Sequence, residues 1–226
     1  MTPTEVLLAT LQNADSFFPS SSAAFSWGLE TLIADGCVHQ SSELAAYLEG
    51  QLRYRWAVCD RPALLAAFRA DGDLPRAQRI DCELEAMTLA QELRDGSKRG
   101  GAALLTVHEK LGTRGAIEYR DAVRAGSAYG HLPVVQGLLW RGAGLNETAV
   151  EAVSAHALCT SLLSAALRLG VIGHLQAQEI LLRMRSIIAA LREAPAPALD
   201  QIYTCTPAAE IASMRHEVQS SRAFAN

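Results

Sequence analysis

The sequence predicts an all-α protein, and three observations carry that reading. Apolar residues recur at three-to-four spacing along most of the 226 residues, the repeat of a helix with one buried face. No run of strict apolar-polar alternation rich in β-branched or aromatic residues offers material for a sheet. Prolines and glycines fall where helices would start and stop. Half of the residues are hydrophobic, enough for a sizeable core. With short connections and no internal repeat, the expectation is a single domain over residues 1–226 with about ten helices.

The elements follow in order. Thr2 and Glu5 have capping-box spacing with Pro3 at the first helical position, which starts a helix through about residue 12. The stretch DSFFPSSSAAF breaks the pattern with Pro19 and its serines, and helix resumes from Phe25 through about Ala34 until Gly36. Leu44, Tyr47 or Leu48, Leu52 and Trp56 form the apolar stripe of the next helix. Pro62 opens LLAAFRA, which ends at Asp71-Gly72. Pro75 opens a longer helix in which Ile80, Leu84, Met87 and Leu93 share a face, while Arg76, Arg79, Asp81, Glu85 and Glu92 are expected in solvent. Gly96, Gly100, Gly101, Gly112 and Gly115 are expected to divide the middle of the chain into shorter pieces. Pro133 starts a short helix through Trp140, and Asn146 caps a long one that runs to Leu169 before Gly170. Another spans about 175–193 and stops before Pro195 and Pro197, and Thr206-Pro207 opens the last.

A formal net charge of -4 gives no basic face for a nucleic-acid backbone. The five cysteines are odd in number and scattered, without a Cys-x-x-Cys pair, as expected of reduced thiols in the cytoplasm. Thr2, Pro3, Thr4 and Glu5 stand where a secretion signal would be basic. The longest uncharged stretch, residues 152–167, falls short of a bilayer span, so no membrane is expected. The sequence holds no phosphate-binding glycine loop, no Gly-x-Ser-x-Gly and no His-Glu-x-x-His. None of its histidines has a second histidine at i+3 or i+4, so neither cofactor nor metal is expected. The carboxylates Glu83 and Glu85 read as a solvated helix face.

Five segments, in order, resemble one family, the urease accessory protein UreF. The first is DSFFPSSSAAFSWGLE, where Asp15, Ser16, Pro19, Ser26, Gly28, Leu29 and Glu30 fall in place. The second is QELRDGSKRGGAALL, through Glu92, Leu93, Arg94, Ser97 and Gly101. HLPVVQG and AALRLGVIGHLQAQ come next, and RHEVQSSRAF closes the series at Phe224. Ser21, Ala23 and Phe25 depart from the family's glycine, phenylalanine and histidine in the first block, Gln91 from an arginine in the second and Ala223 from a leucine in the last.

The resemblance implies an all-α, commonly dimeric protein that is not itself an enzyme. It would bridge an accessory GTPase of the UreG type, an accessory scaffold protein of the UreD/UreH type and the urease apoprotein, so that nickel can be installed. Residues 215–226 are then expected to form a polar docking tail for the scaffold through Arg215, His216, Glu217, Gln219, Ser220 and Arg222. The N-terminal block, with Asp15, Ser26, Gly28 and Glu30, is expected to meet the GTPase. Arg94 and Arg168 complete the candidate partner contacts, with Arg168 on an apolar helix that could serve a dimer. The competing readings are a helical hydrolase or lyase assembled from Asp15, Glu30 and His131, and an unrelated helical adaptor.

Overall fold

A computed structural model describes residues 1–15, 18, 26–216 and 224. Among them α-helix dominates and no strand occurs, and the helices form a single compact arrangement. Helix α1 (Pro3–Ala14) begins with the expected capping box: the Glu5 carboxylate accepts from the Thr2 amide at 2.6 Å. Helices α2 (Leu29–Ala34) and α3 (Ser41–Gln51) follow. A π-helical stretch, Leu52–Asp60, then carries α3 into α4 (Arg61–Ala70) without a break. Pro62 has no amide to give this rod, and the Val58 carbonyl four residues before it accepts instead from the Tyr203 amide at 3.3 Å.

Helix α5 (Leu74–Met87) is capped by Asp73, and α6 (Gln91–Lys110) follows after a three-residue turn. Next come α7 (Ala116–Arg124), α8 (Leu132–Gly142), α9 (Glu147–Arg168, capped by Asn146), α10 (His174–Glu193) and, beyond a 3-10 turn at Leu199–Gln201, α11 (Pro207–His216). Phe25, expected to begin α2, lies outside the described residues.

Helix α4 is apolar on nearly every side and packs between α8, α5 and α9. One buried cluster joins Leu44, Leu48, Leu52 and Trp56 to Leu162 and Leu163 of α9 and Met184 of α10. A second joins Ile80, Leu84, Leu105, Tyr119, Val134 and Leu139. A third gathers Leu64, Phe68, Trp140 and Val150. Helix α9 spans 22 residues and is the one helix among the described residues long and apolar enough to cross a membrane, yet 61% of its apolar window is buried inside the protein.

Three expectations are corrected here. Gly96, Gly100 and Gly101 do not divide the middle of the chain: α6 runs straight through them. Gly101 is needed for close approach, because a Cβ there would strike the carbonyl oxygen of Gly130. Asp81, expected in solvent, is fully buried. Its carboxylate accepts from the Tyr119 hydroxyl at 2.8 Å and from the amides of Tyr129, Gly130 and His131 at 2.6, 2.7 and 3.0 Å. It thereby organises the turn that enters α8, and its presence beside the buried phenol pushes Tyr119 above the usual range, second to desolvation. Leu93 belongs to α6 rather than to the helix of Ile80 and Leu84, since the chain turns at Thr88–Ala90.

The long helices are fixed by Arg61, which is buried at the start of α4. Its Nε donates to Glu151 of α9 at 2.7 Å, and its terminal nitrogens donate to the carbonyls of Leu191, Arg192 and Ala194 at 2.8, 2.9 and 3.0 Å. A cation thus meets the unsatisfied carbonyls and negative dipole end of α10. Arg61→Ala would leave the buried Glu151 carboxylate short of a partner and three carbonyls without donors. The expected loss is about 3–5 kcal/mol in chemical denaturation.

A second prediction concerns pH. Burial lowers the pKa of His108 from the ordinary 6.5 to about 4, while its Nδ1 faces the Thr113 hydroxyl at 2.8 Å. The unfolded chain therefore takes up this proton first, and the stability due to the neutral ring is lost as pH falls from about 6.5 towards about 4. Denaturation curves of His108→Gln should show a shallower decline than the parent across that window.

Candidate functional site

Helix α2 meets the last helix, α11. Ser26, Trp27 and Gly28 form the turn into α2, and α11 lies across it. Gly28 has φ +83°, and a Cβ built on it would come within 2.6 Å of the Ala209 carbonyl oxygen and 3.0 Å of Ser213 Oγ. The absence of a side chain is therefore required twice, by the left-handed backbone and by the approach of α11. Ala209, Ala212 and Ser213 are small on the face that α11 turns inward.

Trp27, also at positive φ (54°), is held from the opposite side. Its carbonyl accepts from the Tyr47 hydroxyl at 2.6 Å, and the Arg55 guanidinium lies 4.7 Å from its ring centroid. Arg55 sits in the π-helical stretch and pairs with Asp60 at 3.3 Å. Desolvation raises the Asp60 carboxyl above the usual carboxylate range, against the lowering effect of Arg55.

The junction closes on His216. Its Nε2 is 2.9 Å from Glu30 Oε2 on α2, and its Nδ1 is 3.4 Å from Glu92 Oε2 on α6. The imidazole is 1% exposed, so three elements converge on a buried cluster of polar side chains rather than on a solvated one. At the rim Arg215 clamps Asp35 with contacts of 2.5 and 3.1 Å. Phe224 is buried in the cluster of α2, α3 and α9, and the Arg168 guanidinium lies 3.9 Å from its ring centroid.

The residues expected to meet partners are placed as follows. Ser26, Gly28, Glu30 and His216 are buried in contacts within the chain and build the junction. Arg168 is occupied by Phe224. Arg94 donates to the carbonyls of Thr88 and Leu89 at 2.6 and 2.7 Å and so closes the α5–α6 turn. Glu217, Gln219, Ser220 and Arg222 lie outside the described residues. The alternative catalytic set is committed elsewhere: His131 Nε2 meets Glu85 at 2.7 Å, and Glu30 meets His216. Asp15 is exposed at the end of α1.

Sequence reasoning missed the outer face of α11. Ile211 and Met214 are exposed there beside Arg215, at 57% and 47%, while the opposite face is buried. The three-residue spacing of these apolar groups was the available signal. Among the described residues no group of three or more His, Cys, Asp and Glu side chains is placed to hold a metal ion.

Fold and junction together define an all-α protein whose second and last helices are clasped by a buried histidine between two carboxylates. The family model described as UreF matches residues 38–185. The urease accessory protein UreF of Trichodesmium erythraeum is 36% identical over 228 residues, covering 97% of this chain and 96% of that protein. That of Paenarthrobacter aurescens is 33% identical over 222 residues, covering 96% of each. The chain belongs to the UreF family of urease accessory proteins.

Gly28→Ala tests the clasp. The added methyl must displace α11, with an expected loss of about 1–3 kcal/mol and faster amide hydrogen exchange confined to α2 and α11. Unchanged protection of α11 would mean that the close approach at Ala209 is not needed.

Proposed function

We propose that the chain acts in urease maturation as a bridge that brings the accessory GTPase and the accessory scaffold protein to apo-urease for nickel insertion, in the cytoplasm and without chemistry of its own. The observation that carries this reading is membership of the UreF family over nearly the whole chain. The surface chemistry agrees with it: Ile211, Met214 and Arg215 give the outer face of α11 an apolar centre with an arginine beside it, the composition of a protein-binding patch.

In this reading the scaffold docks on that face and on the segment that continues through Gln219 and Arg222. The GTPase is met near the exposed Asp15, with the buried Gly28 and Glu30 acting by holding the block in place. Without a nucleotide site of its own, the bridge would influence GTP hydrolysis by binding one state of the GTPase more tightly than another. Self-association would use exposed apolar groups outside α9, whose apolar face is spent on the core; Leu7, Leu8 and Leu11 of α1 are such a set.

Reconstitution of urease from purified apoprotein, nickel, bicarbonate, GTP and the other accessory proteins tests the role. Activation should collapse to background when this chain is omitted, and equal activation without it would overturn the proposal. Ile211→Asp with Met214→Asp, both on an exposed face, should weaken scaffold binding at least about tenfold while helical content stays unchanged. Undiminished binding would move the docking site elsewhere.

A further inference from the structure

Beneath α1, where the π-helical stretch, α6, α8 and α9 converge, lies a cavity of about 70 Å³. Its wall is mixed. Leu104, Leu132, Pro133 and Leu158 contribute apolar surface, and most of the polar groups are already engaged. Arg55 pairs with Asp60 across 3.3 Å. Trp56 donates to Ser154 at 3.2 Å, and Ser97 accepts from the Leu132 amide at 3.1 Å.

Two lining residues each bring a buried polar atom without a partner: Trp140 its indole Nε1 and Asn13 its side-chain oxygen. Trp140 is only 2% exposed, and indole nitrogen can only donate. The Asn13 amide orientation is fixed because its nitrogen donates to the Ala9 carbonyl at 2.9 Å, which leaves the oxygen as an acceptor in need of a donor. Buried polar atoms left in this condition are costly, and this pair is complementary: one asks for an acceptor, the other for a donor.

We propose that this cavity is a binding site for a small neutral primary amide. The charge balance of the wall argues for neutrality, since Arg55 and Asp60 already compensate each other and a further buried charge would be unpaired. Size argues for four or so non-hydrogen atoms: at roughly 10–15 Å³ per water, the space corresponds to about five waters. One water bridging the two atoms would leave most of the space, and its largely apolar wall, unfilled. An amide carbonyl would accept from Trp140, its NH2 would donate to Asn13, and its small apolar end would meet the leucines. The occupant would tie α1, none of whose side chains is fully buried, to α8.

The three tryptophans of the chain all line this cavity, so their indole N–H resonances report on its occupancy. Titration of the full-length protein with acetamide should shift them saturably in the millimolar range, Trp140 most of all, because the Trp56 indole is already bonded to Ser154. Trp140→Phe should abolish the assigned resonance and weaken acetamide binding at least about fivefold, read by ligand-detected NMR so that no indole is needed. Asn13→Leu, on the partly exposed face of α1, should weaken it similarly without unfolding. A linear, non-saturating shift common to all three indoles, or binding that survives both substitutions, would overturn the proposal, as would a high-resolution crystal structure in acetamide showing water alone in the cavity.

Discussion

The buried guanidinium of Arg61 is the contact on which the arrangement of the long helices depends. It stands where α4, α9 and α10 meet, and it supplies donors to a carboxylate and to three backbone carbonyls at once. Burying an arginine is unfavourable unless its donors are met, so the position of α10 follows from the need to satisfy this group. Arg192 reinforces it from α10 itself by reaching the second oxygen of Glu151 at 3.2 Å. Asp81 plays the reciprocal part at the other side of α4's neighbours, a buried acceptor that gathers amides from the turn before α8. Between them these two charges orient helices whose apolar contacts alone would permit several packings.

The clasp between α2 and α11 obeys the same logic with a weaker set of groups. Glu30 and Glu92 stand in the first turns of α2 and α6, where the helix dipole favours a carboxylate, and His216 in the last turn of α11, three helices far apart in sequence. Small residues on α11 and the missing side chain at Gly28 bring the backbones close enough for these groups to meet. The surface left facing outward on α11 is then the by-product of that choice: with Ala209, Ala212 and Ser213 turned inward, Ile211 and Met214 have no inner face left to occupy.

Much of the fold was legible in the sequence because its signals are local. Thr2 with Glu5, Asn146 and the prolines near helix starts act within a turn of where they stand. The family, too, was legible from the spacing of its blocks. What failed was long range. Asp81 reads as a solvated charge until the amides of residues 129–131 arrive from the far side of α7. Gly100 and Gly101 read as helix breakers until α8 and its preceding turn occupy the space they leave. At the site, Glu30 and His216 read as contacts for two different partners, since nothing in a single sequence says that residues 30, 92 and 216 converge.

The π-helical stretch between α3 and α4 carries a consequence for how the sequence can change in length. In a π-helix the backbone hydrogen bonds span five residues instead of four, so each turn holds more chain than an α-turn. Deleting one residue between Leu52 and Asp60 would let the rod recover α geometry, and because the π turns hold surplus chain, α4 beyond would keep roughly its present facing. A deletion inside α4 has no such slack: everything beyond it would turn by about 100° about the helix axis, and its apolar sides would exchange neighbours. The rod therefore takes up a change in length far more easily at Leu52–Asp60 than a few residues further on.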